Sequence, residues 1–373
     1  MIIKTITCHH AYNYGASLQA YALMHTLSKL GHNVEIIDYV PSYVRDYNSL
    51  WMIGERYQKN LFITIAFYAY VIPIRLLQHK KRRLFDKYNK DYLKLTSRYN
   101  SFEDLQKDPP QADVVFCGSD QIWNTTVDNG LDPSYYAAFA KKETIRASYA
   151  ASFSVSKLPE EHESFVSEML KGMNRISVRE KTGLTILEKL GFNNCKVVSD
   201  PVFLPEVDDW NQLTKPVKYK DYVLVYDQEN SKEIKKVAKA LASKYGLQIV
   251  ALRDLYPRLY ANKTIWNAGP VEFLSLIKNA SFVVTNSFHC TAFSLIFERD
   301  FVVMPRSHQK VNSRMIDLTD AFGVPDRYIE SVEGLEKIRP IQYEVVREEI
   351  SKLKKVSFDY IKDVLCCKQT QEK

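Results

Sequence analysis

The chain lacks any cysteine pattern. Its six cysteines, Cys8, Cys117, Cys195, Cys290, Cys366 and Cys367, are scattered, which excludes a disulfide-stapled scaffold and a C-x-x-C zinc module and leads us to expect a reducing, cytoplasmic setting. Cys8-His9-His10 has metal-ligating residue types, but no second ligand cluster accompanies it in the sequence. These residues are therefore read as buried or loop positions, and no metal or resident cofactor is expected. Zinc-finger spacing, an RRM signature and a long basic helix are also missing. The net charge of +7, spread over 51 basic and 44 acidic residues, therefore does not point to nucleic acid. One dense basic run stands out, His79–Arg83. No charged-then-apolar leader opens the chain, so export is not expected. No apolar run reaches the roughly 18–20 residues that span a bilayer, since Leu61–Leu77 is interrupted by Pro73 and Arg75. That segment reads as a buried or partner-facing helix. Its second reading is an interfacial helix whose basic flank, within residues 61–83, touches anionic lipid at the inner face of a membrane. Internal repeats and low-complexity segments are absent.

What is present is a hydrophobic content of 46% over 373 residues, enough for two domains, and a repeated strand–helix alternation. The first half reads as strand Ile2–Thr7, helix Ser17–Leu30 closed by Gly31, and strand Asn33–Asp38. Strands follow at Val114–Cys117, Arg146–Ala150, Arg175–Val178 and Cys195–Val198, with helices at Glu160–Gly172 and Thr182–Leu190. The second half restarts the pattern with strands Tyr222–Tyr226, Gln248–Leu252, Phe282–Thr285 and Phe301–Met304 around helices Lys232–Tyr245, Val271–Asn279 and Thr291–Phe297. The expected fold class is α/β, two parallel-sheet Rossmann-like domains facing a cleft. The expected boundaries are 1–205 for the first domain with an apolar-basic insertion at about 56–95, 206–221 for a charged linker, and 222–335 for the second domain. Residues 336–373 would carry a long helix that packs back on the first domain.

Chemistry-bearing residues fall where strands hand over to helices, the place where open α/β sheets bind ligands. The turn Thr285–His289, with Asn286 and Ser287, lies between a strand and a helix whose positive end favours an anion. A lone histidine is more often structural, but this position makes His289 a candidate for chemistry. Asn13-Tyr14-Gly15 follows the first strand and opens a helix, either as a ligand-approaching turn or as plain capping with Ser17 as the cap. Gly118–Asn124 groups Ser119, Asp120, Gln121, Trp123 and Asn124. Amides and carboxylates can hold sugar hydroxyls and an aromatic face can cover the ring, with Asp120 as general base or, more blandly, a helix cap. Arg179 sits at a crevice edge where a guanidinium can grip a carboxylate or phosphate, and Arg253 sits likewise after its own strand. His308–Arg314 brings Asn312 and Arg314 to the same edge.

Five ordered blocks, Asn13–Leu23, Gly118–Asn124, Ile176–Glu180, Ser199–Phe203 and Pro270–Met304, together resemble the polysaccharide pyruvyl transferases. The similarity runs from about residue 5 to about residue 330. It implies a GT-B-like architecture and transfer of an enolpyruvyl-derived group from phosphoenolpyruvate, as co-substrate, to two hydroxyls of one sugar in a polysaccharide or lipid-linked glycan. The product would be a pyruvate ketal. On that reading His289 and Asp120 are catalytic, and Arg179, Arg314, Arg306, Ser287 and Asn286 hold the donor. Asn13, Tyr14, Gly15, Ser119, Gln121, Trp123 and Asn124 hold the acceptor. The family commonly carries Arg or a hydroxyl residue at the position of Ser287 and glycine at that of Cys290, so an anion contact would fall to Arg179, Arg306 or Arg314. Two rival readings are a nucleotide-sugar glycosyltransferase using Glu272 or Asp254, and a non-catalytic assembly protein.

Overall fold

A computed structural model describes residues 1–47, 53, 60–253, 258–306 and 312–371. Short apolar runs become parallel strands covered on both faces, the environment that such runs favour. The first sheet contains β1 (Ile2–Ile6), β2 (Asn33–Tyr39), β3 (Leu95–Tyr99), β4 (Val114–Cys117) and β5 (Ile145–Ser148), in the order β3-β2-β1-β4-β5. The pair β6 (Ile176–Val178) and β7 (Cys195–Val197) continues it through single bridges from Ala147 to Arg175 and from Ala151 to Val178. The second sheet contains β8 (Tyr222–Tyr226), β9 (Gln248–Leu252), β10 (Lys263–Ile265), β11 (Phe282–Thr285) and β12 (Phe301–Val303), in the order β10-β9-β8-β11-β12. All pairings are parallel. The fold is therefore a pair of Rossmann-like domains in a GT-B-like arrangement.

In each sheet the strand order reverses once, between β1 and β4 and again between β8 and β11. Loops leaving the carboxyl ends of strands beside such a reversal open a crevice. Residues 7–13 and 118–124 leave β1 and β4, while residues 227–231 and 286–287 leave β8 and β11. Asp120, Asn286, His9 and His10 come from these loops, whereas Arg179, Asp200 and Arg314 reach the site from elsewhere.

The helices used below are α1 (Tyr14–Lys29), α2 (Leu61–Tyr92), α3 (Lys181–Lys189), α4 (Pro270–Lys278), α5 (Phe288–Ile296), α6 (Ser313–Ala321) and α7 (Tyr343–Gln371). Two of them start three residues earlier than the sequence suggests. Helix α1 begins at Tyr14 because Asn13, not Ser17, is its cap, with Oδ1 accepting the Ala16 N–H at 3.2 Å. Helix α5 begins at Phe288 because Ser287 caps it through the Cys290 N–H at 3.5 Å. His289 therefore lies in the first helical turn and not in the preceding loop.

One apolar core runs through both domains, and Tyr14 lies in it. Its ring stacks on Phe273 of α4 at 4.5 Å and 4°, and its hydroxyl donates to the Ala268 carbonyl at 3.1 Å. The end of the chain returns to the first sheet, where Tyr360 of α7 donates to the Ser148 carbonyl at 2.7 Å. Ser357 Oγ accepts the Ser199 N–H at 3.0 Å.

The segment expected as an insertion is more closely tied to the first domain than its sequence implies. Helix α2 buries Phe85 and Tyr88 in the shared core, and β3 after it forms the sheet's edge. At its other end Leu61, Phe62, Ile65 and Tyr70 are exposed. Among the described residues no single helix is long and apolar enough to cross a membrane. The arms Leu61–Pro73 and Gln78–Tyr92 of α2, bent by 57°, meet that length and composition only together.

Candidate active site

A buried knot of charge forms where the two domains meet. Arg179 follows β6, and its guanidinium donates through Nη1 to Asp200 Oδ2 at 2.6 Å. Its Nε faces Glu180 Oε2 at 3.4 Å, and Nη2 lies 3.7 Å from Asp120 Oδ1. The guanidinium plane also rests on the Phe288 ring of the second domain at 4.9 Å, which makes Arg179 a cross-domain contact. Burial opposes the charge on Arg179, but Asp200, Glu180 and Asp120 outweigh it and hold the group cationic. Asp200 is the reciprocal case. Burial pushes its carboxyl up, yet His289 and Arg179 together hold it well below the usual range.

His289 completes the knot from the other side. Its Nε2 stands 3.5 Å from Asp200 Oδ2 and has no hydrogen-bond partner. The opposite edge of the imidazole lies against α1, because a Cβ built on Gly15 would fall 2.0 Å from His289 Nδ1. Gly15 is therefore a glycine for the space it leaves to His289, in a helix that would otherwise favour alanine. The amino ends of α1 and α5 converge on this imidazole, and both present positive helix-dipole ends.

Arg314, in the first turn of α6, is the least satisfied charge here. It is 9% exposed, its Nε has no partner, and it makes no hydrogen bond or ion pair among the described residues. Burial first, and the nearby Arg179 second, lower its pKa to about 10. Glu180 and Asp120 offset part of that burial from a distance, and a negative group in direct contact with the guanidinium would offset more. Beside it lies a cavity of about 380 Å³ whose charged lining mixes Arg179, Lys181 and Arg314 with Glu180, Asp200, Asp317 and Asp320. His289 reaches Asp200 from the Gly15 side and does not line this cavity.

The sequence model described as polysaccharide pyruvyl transferase matches residues 13–308. The chain belongs to the polysaccharide pyruvyl transferase family. No curated protein matches it. Among solved structures it is similar to a putative UDP-N-acetylglucosamine 2-epimerase from Listeria monocytogenes, at 10% identity, TM-score 0.52, and coverage of 95% of this chain and 90% of that one. It is also similar to the UDP-N-acetylglucosamine 2-epimerase of Rickettsia bellii, at 11% identity, TM-score 0.50 and coverage of 99% and 97%. A third is the S. aureus MnaA-UDP co-structure, at 13% identity, TM-score 0.50 and coverage of 95% and 90%. At such identity these likenesses bear on the fold alone.

In this pyruvyl transferase family member the fold brings together Arg179, Asp120, His289 and Gly15. It also brings Arg306 near, where Nε donates to the Asn286 carbonyl at 2.9 Å. Other expected ligand residues turn out to hold the structure. Trp123 is wholly buried, stacks on Tyr136 at 5.4 Å and donates to the Tyr135 carbonyl, so it has no face for a sugar ring. Ser119 is equally buried, its hydroxyl donating to the Ala150 carbonyl at 2.6 Å and its backbone N–H to Gln19 Oε1. Asn124 folds its own turn through Thr126, and Gln121 accepts from Asn124 at 3.3 Å. Asn13 and Ser287 are helix caps, and Tyr14 joins the domains. Asn286 is fully buried, donating to Asp227 Oδ1 at 3.1 Å and accepting the Gln228 N–H. Arg253 donates to the Asp227 carbonyl at 3.2 Å. His308 to Val311 and Asp254 lie outside the described residues.

Sequence reasoning missed Asp200 and Glu180. Asp200 appears in the sequence as the Asp-Pro that ends a strand, and its link to Arg179 spans 21 residues. The usable signal was a carboxylate inside two of the recurring family blocks. The Gly15 contact yields a structural test. Gly15→Ala in an unobstructed helix would stabilise by about 1 kcal/mol, but here overpacking should destabilise by about 1–3 kcal/mol. Chemical unfolding and the NMR shifts of the His289 imidazole read both effects. A stabilised variant with unmoved His289 resonances would disprove the contact.

Proposed function

We propose that this chain transfers a pyruvyl group from phosphoenolpyruvate to two hydroxyls of one sugar, forming a cyclic ketal and releasing phosphate. The observation that carries the reading is the buried Arg314 guanidinium near Arg179, which makes no hydrogen bond or ion pair among the described residues. A donor with a carboxylate and a phosphate would give the Arg314 guanidinium the charge-assisted hydrogen bonds that it lacks among the described residues. In the proposed chemistry a proton adds to the methylene carbon of the enol, and one sugar oxygen bonds to the adjacent carbon. The second sugar oxygen then displaces phosphate from that carbon, and both hydroxyl protons leave. His289 is assigned as the acid and Asp120 as the base that receives an acceptor proton. Asp200 orients both Arg179 and His289, and Arg314 and Arg179 stabilise the leaving phosphate.

The nucleotide-sugar reading is less well supported. Glu272, its candidate for holding a ribose, already accepts the Gly269 N–H at 2.9 Å at the start of α4. Phosphate release from phosphoenolpyruvate in the presence of glycan or lipid-linked glycan fractions, with mass detection of the ketal, separates the two. Wild-type protein should give both signals, and His289→Ala should lose roughly 10²–10⁴-fold in rate at a temperature where circular dichroism shows it still folded. Wild-type turnover by the variant, or transfer from a UDP-sugar instead, would overturn the proposal.

The acceptor is proposed to be presented at an anionic membrane surface. Exposed Leu61, Phe62, Ile65 and Tyr70 on one arm of α2 are followed by exposed His79, Lys80 and Arg83. Lys81 is excluded from this patch, because it is buried with its Nζ 4.8 Å from the Tyr14 ring centre. Each surface cation contributes about 1 kcal/mol near anionic lipid, screened by salt. Lys80→Gln with Arg83→Gln should therefore weaken co-sedimentation with phosphatidylserine vesicles about 30-fold. Binding that is absent at low salt, or indifferent to these changes, would reassign this arm to protein contacts.

A further inference from the structure

The loop between β1 and α1 carries a second cluster that the transfer chemistry does not use. His9 and His10 leave the end of β1, and Asp38 stands near the end of β2. Sequence distance hides this grouping, which exists only because β1 and β2 are neighbours in the sheet. His10 Nε2 lies 2.6 Å and His9 Nε2 3.3 Å from the same oxygen, Asp38 Oδ1. One ligand atom from each of the three residues falls within 4.8 Å of the others.

The hydrogen-bond count around His9 is awkward for protein groups alone. The residue is 1% exposed, its Nδ1 faces the Thr7 carbonyl at 3.2 Å, and its Nε2 faces the carboxylate. Both neighbours are acceptors, whereas a neutral imidazole has a single N–H to give. Asp38 Oδ1 already receives His10, and Oδ2 receives Arg98 Nε at 3.0 Å. If Nδ1–H donates to Thr7, the Nε2 lone pair points at a carboxylate oxygen. A cation between them removes that conflict.

We propose that His9 Nε2, His10 Nε2 and Asp38 Oδ1 form a binding site for a divalent transition-metal ion of the zinc or cobalt class. Two imidazoles and one carboxylate suit such ions and leave further coordination positions open. The surroundings match what metal ligands usually require: the Thr7 carbonyl fixes the His9 tautomer, and Arg98 holds the carboxylate by its other oxygen. The charge of Arg98 opposes a second cation, but its side chain is 56% exposed and well screened. His10 also lines a cavity of about 620 Å³ with Tyr12, Arg45, Asp86 and Arg98, which gives an ion an entry path. A bound ion would tie the loop that leads into Asn13–Gly15 to β2, and so steady the surface on which His289 rests.

Cobalt(II) titration of tag-free, chelator-treated full-length chain tests this without reference to turnover. One equivalent should bind with visible ligand-field absorption, zinc should bleach it, and zinc should raise the unfolding temperature in a concentration-dependent way. His10→Gln, at a partly exposed position, and Asp38→Asn should each weaken cobalt binding roughly 100-fold or more. His289→Ala should bind cobalt as wild type does, which separates this site from the donor pocket. Absence of cobalt and zinc binding by the wild-type chain, or unchanged absorption in both folded ligand variants, would overturn the proposal.

Discussion

The site depends on one buried carboxylate. Asp200 takes Arg179 on one side and His289 on the other, so the first domain's cation and the second domain's imidazole are set by the same oxygen. Removing such a partner leaves a buried charge uncompensated, which costs about 3–5 kcal/mol. The knot therefore cannot drift without the interface between domains opening. Gly15 sets the imidazole from behind, and Phe288 underlies the guanidinium, so apolar packing fixes the direction of each polar group.

Charge is distributed unevenly around that carboxylate. Arg179 is neutralised by three acids at close range, whereas Arg314 forms no ion pair among the described residues and is depressed by burial and by Arg179, which Glu180 and Asp120 offset only in part. The amino ends of α1 and α5 meet at His289, while Arg314 borders the neighbouring cavity without an ion pair among the described residues, and each feature suits an anion. This asymmetry divides the labour. Arg179 is held mostly by the frame, with only Nη2 lacking a hydrogen bond, and Arg314 has more of its interactions still to make.

The strand pattern is legible in the sequence because buried parallel strands are short, continuous apolar runs. Tyr222–Tyr226 and Val114–Cys117 can be read without ambiguity, and the strand-to-helix handovers locate the crevice. Helix starts are less legible, since a cap is chosen by geometry and both Asn13 and Ser17 have the right chemistry for α1. Residue type also does not reveal exposure. Trp123 has the composition of a sugar platform and is spent on Tyr136, while the edge strand β3 is half polar and escapes notice. Asp200, and Asp38 beside His9 and His10, become functional candidates only through strand neighbours that lie far away in sequence.

The account stands on Arg314 and Arg179 receiving the donor's negative groups, and calorimetric titration of phosphoenolpyruvate is the most direct measure of it. Wild-type protein should bind, and Arg314→Gln should bind roughly 10–150-fold more weakly with its fold intact, the loss of one charge-assisted contact of about 1.5–3 kcal/mol. Equal affinity in the two proteins would contradict the anion pocket.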